Sequence, residues 1–505
     1  MAGEEEEEEE EEEENCSAAA PLRGRPQHYS RPVAAISTTA AVAVNKDDER
    51  PSRGKKQLPT AQPVYVLRGH SAQIHAVEFG LSNAQLITGD ADGWLVVWDV
   101  AIKRPRRVWK AHDGAILGAA AWGNDRIISH GRDHKLRVWQ MSTASSESAL
   151  LSSKVLPIDD PHAHRPQPWL LHALDVNTLN FCAFSMCDQW PPASASGAGR
   201  FENAGDPPSP ILVAVPGSMD SDGINVFQLP SEKRLHVIPA DTSTKTGMVM
   251  ALNIFHQTAR LAVVAGYESG HAMVFLHDPA GPKWERLYAH QPHSQPVLSI
   301  SITPDHGCFF TSSADATIAK HPLPLFPLPQ TTTTTTTTPQ SSSDTNNPLL
   351  LLPPPLQLRR SIQTKHAGQQ GLSVRDDGKI FATAGWDARV RVYATKSMRE
   401  LAVLKWHKEG CYATAFAKVT TTNNTSTPST TTIVGDPTSS SSSPLKDDND
   451  DDDDGSGIGS GVSSHREPVT PATTAVQRSR NAKTQSTHWL AVGSKDGKVS
   501  LWDLY

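Results

Sequence analysis

Histidine, a hydroxyl residue and aspartate recur together along this chain in an order that could do chemistry. The first group is His70, Thr88 and Asp92, followed by Trp98. The second is His112, Ser129 and Asp133, followed by Trp139. A third is His366, Thr383, Asp387 and Tyr393. A fourth is His407, Asp496 and Trp502, with Val492 where the hydroxyl would fall. A carboxylate that accepts from an imidazole, which in turn accepts from a hydroxyl, is the arrangement of a nucleophilic triad.

Repetition argues against catalysis. A reaction needs its nucleophile once, whereas these sets return at similar spacing. The same atoms also make a closed hydrogen-bonded line. The carboxylate accepts the imidazole N–H, the other ring nitrogen accepts the hydroxyl proton, and the hydroxyl oxygen accepts the indole N–H. Each group then satisfies a neighbour that burial would leave unpaired. The sets therefore read as architecture, with Asp92 bonding back to His70 and Asp90 on the surface. No catalytic, cofactor-binding or metal-binding residue is expected.

Other reactive patterns fail on their spacing. The acids around Gly93 in "TGDADG" lack the third acidic ligand and distal glutamate of a calcium loop. "HAH" (His162 to His164) lies in a proline-rich connector, and in "HQPH" His293 already falls on the repeat period. No GxxxxGK[ST] occurs, and no GxGxxG follows a strand. The five cysteines (16, 182, 187, 308 and 411) form no CxxC pair, which suits a reducing compartment.

The elements that carry these residues are short alternating strands. From "LRGH" the chain runs through "IHAVEF", "QLITGDADG" and "WLVVWD", so that His70 and Trp98 are 28 residues apart. The next unit spans His112 to Trp139, 27 residues, and the two histidines are 42 apart. A Gly-His to Trp-Asp unit of roughly 40–45 residues is the sequence signature of a WD40 propeller blade. Weaker copies start at His172, at "VMALNIF", at His293 and at His366. A last one starts at His407, breaks for roughly seventy residues and resumes at "HWLAVGSKDGKVSLWDLY". The fold expected is all-β: a seven-bladed WD40 β-propeller closed by the N-terminal strand, with a long disordered tail and loop insertions. "PVYVL" (Pro63 to Leu67) should pair beside Val499 to Leu504, which leaves no long exposed sheet edge.

The propeller should occupy 63–505, after an acidic and basic tail over 1–62. Insertions read as unstructured at approximately 188–209, 323–357 and 418–487, where Pro, Ser, Thr and Asp tracts cannot bury enough apolar surface. The net charge of −7 misleads, because Glu4 to Glu14 and seven aspartates between Asp447 and Asp454 supply eighteen negative charges. The rest of the chain carries +11, spread too thinly for a nucleic-acid face. The acidic runs read as solvating segments, with a lure for a basic partner as the sharper alternative. "KRPRR" (Lys103 to Arg107) fills a tight hairpin, and "RGKK" (Arg53 to Lys56) is a short basic patch. The start is acidic, unlike a signal peptide, and no run of ~18 apolar residues would span a membrane.

A propeller framework offers nothing reactive, so function should sit in its loops. The residue before each blade aspartate falls in a turn around the central channel: Ala91, Arg132, Ala314, Trp386 and Lys495. Arg132, Trp386 and Lys495 are the candidate partner-facing residues, since Trp and Arg dominate interface hot spots. Burial within its own blade is the alternative for Trp386.

"PVYVLRGH", "TGDADGWLVVWDV", "IKRPRRVWKAH", "AAWGNDRIISHGRDHKLRVWQ", "LNFCAFSM", "GYESGHAMVF" and the terminal "HWLAVGSKDGKVSLWDLY" together resemble the ASTRA-associated protein 1 family. These are fungal WD40 proteins whose animal relatives are described as G-protein β-subunit-like. The resemblance implies a non-enzymatic scaffold subunit of the ASTRA complex, linked to chromatin remodelling and to assembly of phosphatidylinositol-3-kinase-like proteins. It implies as partners a kinase-like protein, its co-chaperones and AAA+ ATPases. It also implies a location in the nucleus, with the cytoplasm as a second site, and a propeller that is monomeric within the complex. No cofactor and no membrane or direct nucleic-acid contact is expected.

The alternative is a substrate receptor of a cullin-type ubiquitin ligase. Such propellers often carry Arg two places after Trp-Asp, but Ala101 and Tyr505 stand there. A propeller enzyme would need a carboxylate or metal cluster in its channel outside the repeat positions. A G-protein β subunit would need an apolar heptad helix before Pro63, and none is present.

Overall fold

The computed structural model describes residues 61–141, 154–163, 165–179, 181–191, 209–257, 260–323, 357–419 and 475–504. All but the last two residues of the expected tail over 1–62, and most of each expected insertion, lie outside these residues.

Alternation of apolar and polar residues makes short strands, and each run of four closes into one antiparallel sheet. The first strand among the described residues is β1 (Tyr65–Arg68). The first blade follows: β2 (Ile74–Gly80), β3 (Gln85–Asp90), β4 (Trp94–Asp99) and β5 (Arg104–Lys110). The second is β6 (Ile116–Trp122), β7 (Arg126–Gly131), β8 (Lys135–Gln140) and β9 (Trp169–Asp175). The third is β10 (Ser185–Asp188), β11 (Ile211–Pro216), β12 (Ile224–Leu229) and β13 (Lys233–Ile238). The fourth is β14 (Val249–Gln257), β15 (Arg260–Tyr267), β16 (Ala272–His277) and β17 (Trp284–His290). The fifth is β18 (Val297–Ile302), β19 (Cys308–Ser313), β20 (Thr317–Pro322) and β21 (Arg360–Gln363). The sixth is β22 (Gln369–Val374), β23 (Ile380–Gly385), β24 (Val390–Ala394) and β25 (Glu400–Leu404). The seventh joins β26 (Cys411–Phe416), β27 (Trp489–Ser494) and β28 (Lys498–Asp503) to β1.

The closure follows the sequence expectation. β1 lies against β28 with Leu67 opposite Val499 and Val66 opposite Ser500. The all-β seven-bladed propeller is thus sealed by β1, which covers the outer edge of β28.

The core lies between blades rather than within them. Leu67, Ile74, Val96, Trp98, Ala491 and Leu501 pack together where the seventh blade meets the first. Leu212, Val226, Val263 and Phe275 do the same between the third and fourth. Except in the third blade, the innermost strands carry a register shift near their start, as at Ile74/Ala76 and Cys411/Ala413, which adds twist where the blade faces the channel. In the turn after β3, Gly93 has φ +85, and a Cβ there would fall 1.9 Å from the His112 carbonyl oxygen, so this turn needs glycine.

Two expectations need correction. His172 does not open the third blade. It lies on β9, the outer strand of the second, and its Nδ1 sits 2.6 Å from Glu232 Oε1. Within the expected insertion 418–487, Ala475–Ser486 forms a helix, α1. Its composition is polar all round, and it is held by docking: Thr484 is buried, and its carbonyl accepts the Trp489 indole N–H at 3.2 Å.

Candidate functional site

The hydrogen-bonded lines are present in the interior of several blades. In the second blade His112 Nδ1 is 2.7 Å from Asp133, His112 Nε2 is 2.7 Å from Ser129 Oγ, and the Trp139 indole donates to the same Oγ at 2.8 Å. Arg137 adds a 2.7 Å bond to the other Asp133 oxygen. Burial opposes the charged form of Asp133, but His112 and Arg137 outweigh it and hold the carboxyl below its usual range. Burial lowers the His112 pKa more than Asp133 raises it.

In the first blade the carboxylate is Asp90, not Asp92. Asp90 Oδ2 lies 2.7 Å from His70 Nδ1, while His70 Nε2 and the Trp98 indole both meet Thr88 Oγ1, at 2.7 and 2.9 Å. The other Asp90 oxygen accepts the backbone N–H groups of Asp92 and Trp94, at 3.0 and 2.9 Å. One fully buried carboxylate therefore serves both the imidazole and the turn, and Asp92 is left exposed.

The sixth blade departs further. His366 is half-exposed, with Nδ1 3.4 Å from Asp387. Its expected place is taken by Gln369, whose Oε1 accepts the Thr383 hydroxyl at 2.8 Å while its Nε2 donates to the His366 carbonyl. Asp387 does not depend on the imidazole, because Arg391 holds both its oxygens at 2.6 and 3.1 Å. Tyr393, in the tryptophan position, stacks on Phe381.

In the seventh blade the hydroxyl is present after all. Ser500 Oγ lies 2.7 Å from His407 Nε2 and accepts the Trp502 indole N–H at 2.8 Å. Ser500 stands directly across the ladder from Val492, so the hydroxyl has moved to the neighbouring strand and kept its place in space. Asp496 is 3.8 Å from His407 Nδ1 and is bonded at 2.7 Å by Lys498.

A further line, absent from the sequence reading, runs through the fifth blade. Asp315 is 3.3 Å from His293 Nδ1, His293 Nε2 is 2.7 Å from Thr311 Oγ1, and Thr311 is 2.9 Å from His321 Nε2. Tyr288 then bonds His321 Nδ1 at 2.9 Å. His321 stands ten residues after Thr311, as Trp98 does after Thr88, and that spacing was the available signal.

Apart from the half-exposed His366, the hydroxyls and imidazoles of these lines are withdrawn from solvent. Thr88, Ser129, Thr311 and Ser500 are fully buried. Of the described thiols Cys182, Cys308 and Cys411 are buried and Cys187 is half-buried, with burial pushing Cys187 and Cys411 up to about 12. Among the described residues, no three His, Cys, Asp or Glu side chains gather as metal ligands, and no helix is long and apolar enough to cross a membrane.

The turns before the blade aspartates form one accessible ring. The residue before each aspartate donates its N–H to the segment entering the innermost strand of its own blade: Ala91 to Gln73, Arg132 to Ala115, Ala314 to Pro296, Trp386 to Gly368 and Lys495 to Gly410. The backbone is thereby fixed and the side chain is turned outward. Trp386 is 47% exposed, its ring lies over Gly368 (φ +72), and its indole donates to Gln370 at 2.7 Å. Lys495, in the next blade, is 4.0 Å from Glu409. Arg132 is two blades further on, with its guanidinium 3.9 Å above the exposed Phe181 ring. The structure thus sets Trp386 and Lys495 in adjacent blades and keeps Arg132 apart from them.

These turns surround a central channel of about 630 Å³, lined by Arg132, Phe181 and Gln370 and by the stacked pair His75 and Tyr412. Deeper in it, burial pushes the Glu78 carboxyl up, opposed by Lys418.

Comparison with known proteins agrees with this architecture over its whole length. The family model for ASTRA-associated protein 1 matches residues 63–502. The ASTRA-associated protein 1 of Penicillium rubens is 45% identical over 471 residues, covering 88% of this chain and 98% of its own. That of Aspergillus niger is 44% identical over 88% of this chain and 98% of its own. That of Schizosaccharomyces pombe is 31% identical over 71% and 94%. A match spanning all seven blades, together with the closed propeller, places the chain in the ASTRA-associated protein 1 family.

Proposed function

We propose that this chain is a non-enzymatic WD40 scaffold subunit of an ASTRA assembly, acting in the nucleus, linked to chromatin remodelling and to assembly of phosphatidylinositol-3-kinase-like proteins. The observation that carries the reading is the family match along every blade. Two structural facts support a scaffold. Among the described residues, the His–hydroxyl pairs of the first, second, fifth and seventh blades are consumed in buried hydrogen bonds. The accessible turns present Trp386, Arg132 and Lys495, residue types suited to gripping proteins. The partners on this reading are a kinase-like protein, its co-chaperones and AAA+ ATPases.

Affinity purification of the tagged full-length protein with mass spectrometry tests it. Recovery of a kinase-like protein together with AAA+ ATPases is the expected result. Recovery of a cullin adaptor in their place overturns it.

A further inference from the structure

The end of the propeller opposite Trp386 carries a basic face that the scaffold reading leaves unused. Its centre is Lys103, at the tip of the β4–β5 turn. Lys103 Nζ lies 5.7 Å from the Trp489 ring and 5.8 Å from the Tyr65 ring. Trp489 in turn donates to the last turn of α1. Helix α1 therefore sits beside Lys103, close enough that Lys483 and Arg480, after burial, are what depress the Lys103 pKa, with Asp99 opposing. The helix has Arg478, Arg480 and Lys483 and no acidic residue in its twelve.

Like charges this close repel, so the arrangement costs stability unless something negative is added. The face is also apolar in part. Ile102 and Tyr65 are exposed beside Lys103. Val476 is exposed and shares a helix face with Arg480 and Lys483, at i, i+4 and i+7. Cations interleaved with exposed aliphatic and aromatic groups fit carboxylates and apolar side chains together. A nucleic-acid backbone would ask for more cations, with roughly 6–10 phosphate contacts typical of strong binding.

We propose that α1 and the β4–β5 turn form a docking face for an acidic protein segment carrying apolar side chains. Carboxylates would pair with Lys103, Arg480 and Lys483, and apolar residues would cover Tyr65, Ile102 and Val476. The face is at the other end of the blades from Trp386, so this proposal and the scaffold reading can fail separately.

The test uses full-length protein and a fluorescein-labelled synthetic peptide of alternating Glu and Asp with two Leu and one Phe, followed by anisotropy at physiological salt. Saturable binding is expected, weakened about tenfold by Arg480→Glu with Lys483→Glu, and weakened further by adding Lys103→Glu. Arg480→Gln with Lys483→Gln keeps helix-forming side chains and should weaken binding about threefold, which separates lost charge from a lost helix. Several results overturn the proposal: no saturable binding, unchanged affinity in these variants, or tighter binding of a single-stranded oligonucleotide of equal charge. It is also overturned if replacing the aspartates of Asp447 to Asp454 by Asn raises affinity about tenfold or more, because the chain's own acidic run is then the occupant.

Discussion

Asp90 Oδ2 lies 2.7 Å from His70 Nδ1, while Asp92, two residues on, stands in solvent. The acid nearer the strand wins because a single buried carboxylate there also takes the N–H groups of Asp92 and Trp94. Asp90→Ala should cost about 2–4 kcal/mol, since it strands the buried His70 Nδ1 and two part-buried backbone N–H groups. Asp92→Ala should stay within about 0.5 kcal/mol. Urea unfolding of both variants decides between them, and equal losses would put the assignment in error.

The sixth blade makes a parallel case. Gln369→Ala removes the acceptor of the Thr383 hydroxyl and should cost about 1–3 kcal/mol. His366→Ala, at an exposed ring 3.4 Å from an aspartate already held by Arg391, should be nearly silent. Thermal melts of the pair should therefore separate by several degrees, with only the Gln369 variant shifted.

In the seventh blade, Ser500→Ala deprives His407 Nε2 and the Trp502 indole of their shared partner. A loss of about 2–3 kcal/mol is expected. Near-neutral behaviour in a denaturant titration would mean that the shared serine contributes little.

These three blades show what the sequence could and could not reveal. Blade number, strand order and the closure at Val499 were legible, because alternation and a period of about 42 residues are carried by the apolar residues themselves. The hydrogen-bonded line was legible only where each atom came from its usual offset, as at His112, Ser129, Asp133 and Trp139. What burial requires is a donor or acceptor at a point in space. Ser500 reaches that point from across the ladder, Asp90 from two residues upstream, and Gln369 from three residues past His366. Helix α1 was missed because its helicity depends on the Trp489 contact rather than on an apolar stripe.

His130 lends the fold a pH dependence. It is fully buried, neither ring nitrogen has a hydrogen-bond partner, and burial pushes its pKa down to about 3, with His112 adding to the shift and Asp133 opposing it. The unfolded chain therefore takes up the proton first. Stability from this residue is intact above about pH 6.5 and is lost as pH falls toward 3, by about 1.4 kcal/mol per unit. Between pH 7.5 and 5 the loss amounts to about 2 kcal/mol. His130→Leu should flatten that part of the stability profile, measured by urea unfolding across the range. An unchanged slope would assign the dependence to other groups.

Trp386 should matter to partners and not to folding. Its ring covers Gly368 from outside and its indole bond is to a half-buried glutamine of the channel lining. Trp386→Ala should leave the melting temperature within a few degrees and lower recovery of co-purifying proteins about tenfold. Full recovery from a stably folded variant removes Trp386 as the anchor.

The seventh blade is assembled from Tyr65–Arg68, Cys411–Phe416, Trp489–Ser494 and Lys498–Asp503. A ribosome making this chain delivers its first strand more than four hundred residues before that strand's only ladder partner. During most of synthesis β1 stands without its ladder partner, and long-range pairing of this kind forms slowly. Closure then occurs once, late, and over a very long stretch of chain, so lesions in Lys498–Asp503 should be felt at the amino-terminal end of the fold as strongly as at their own position.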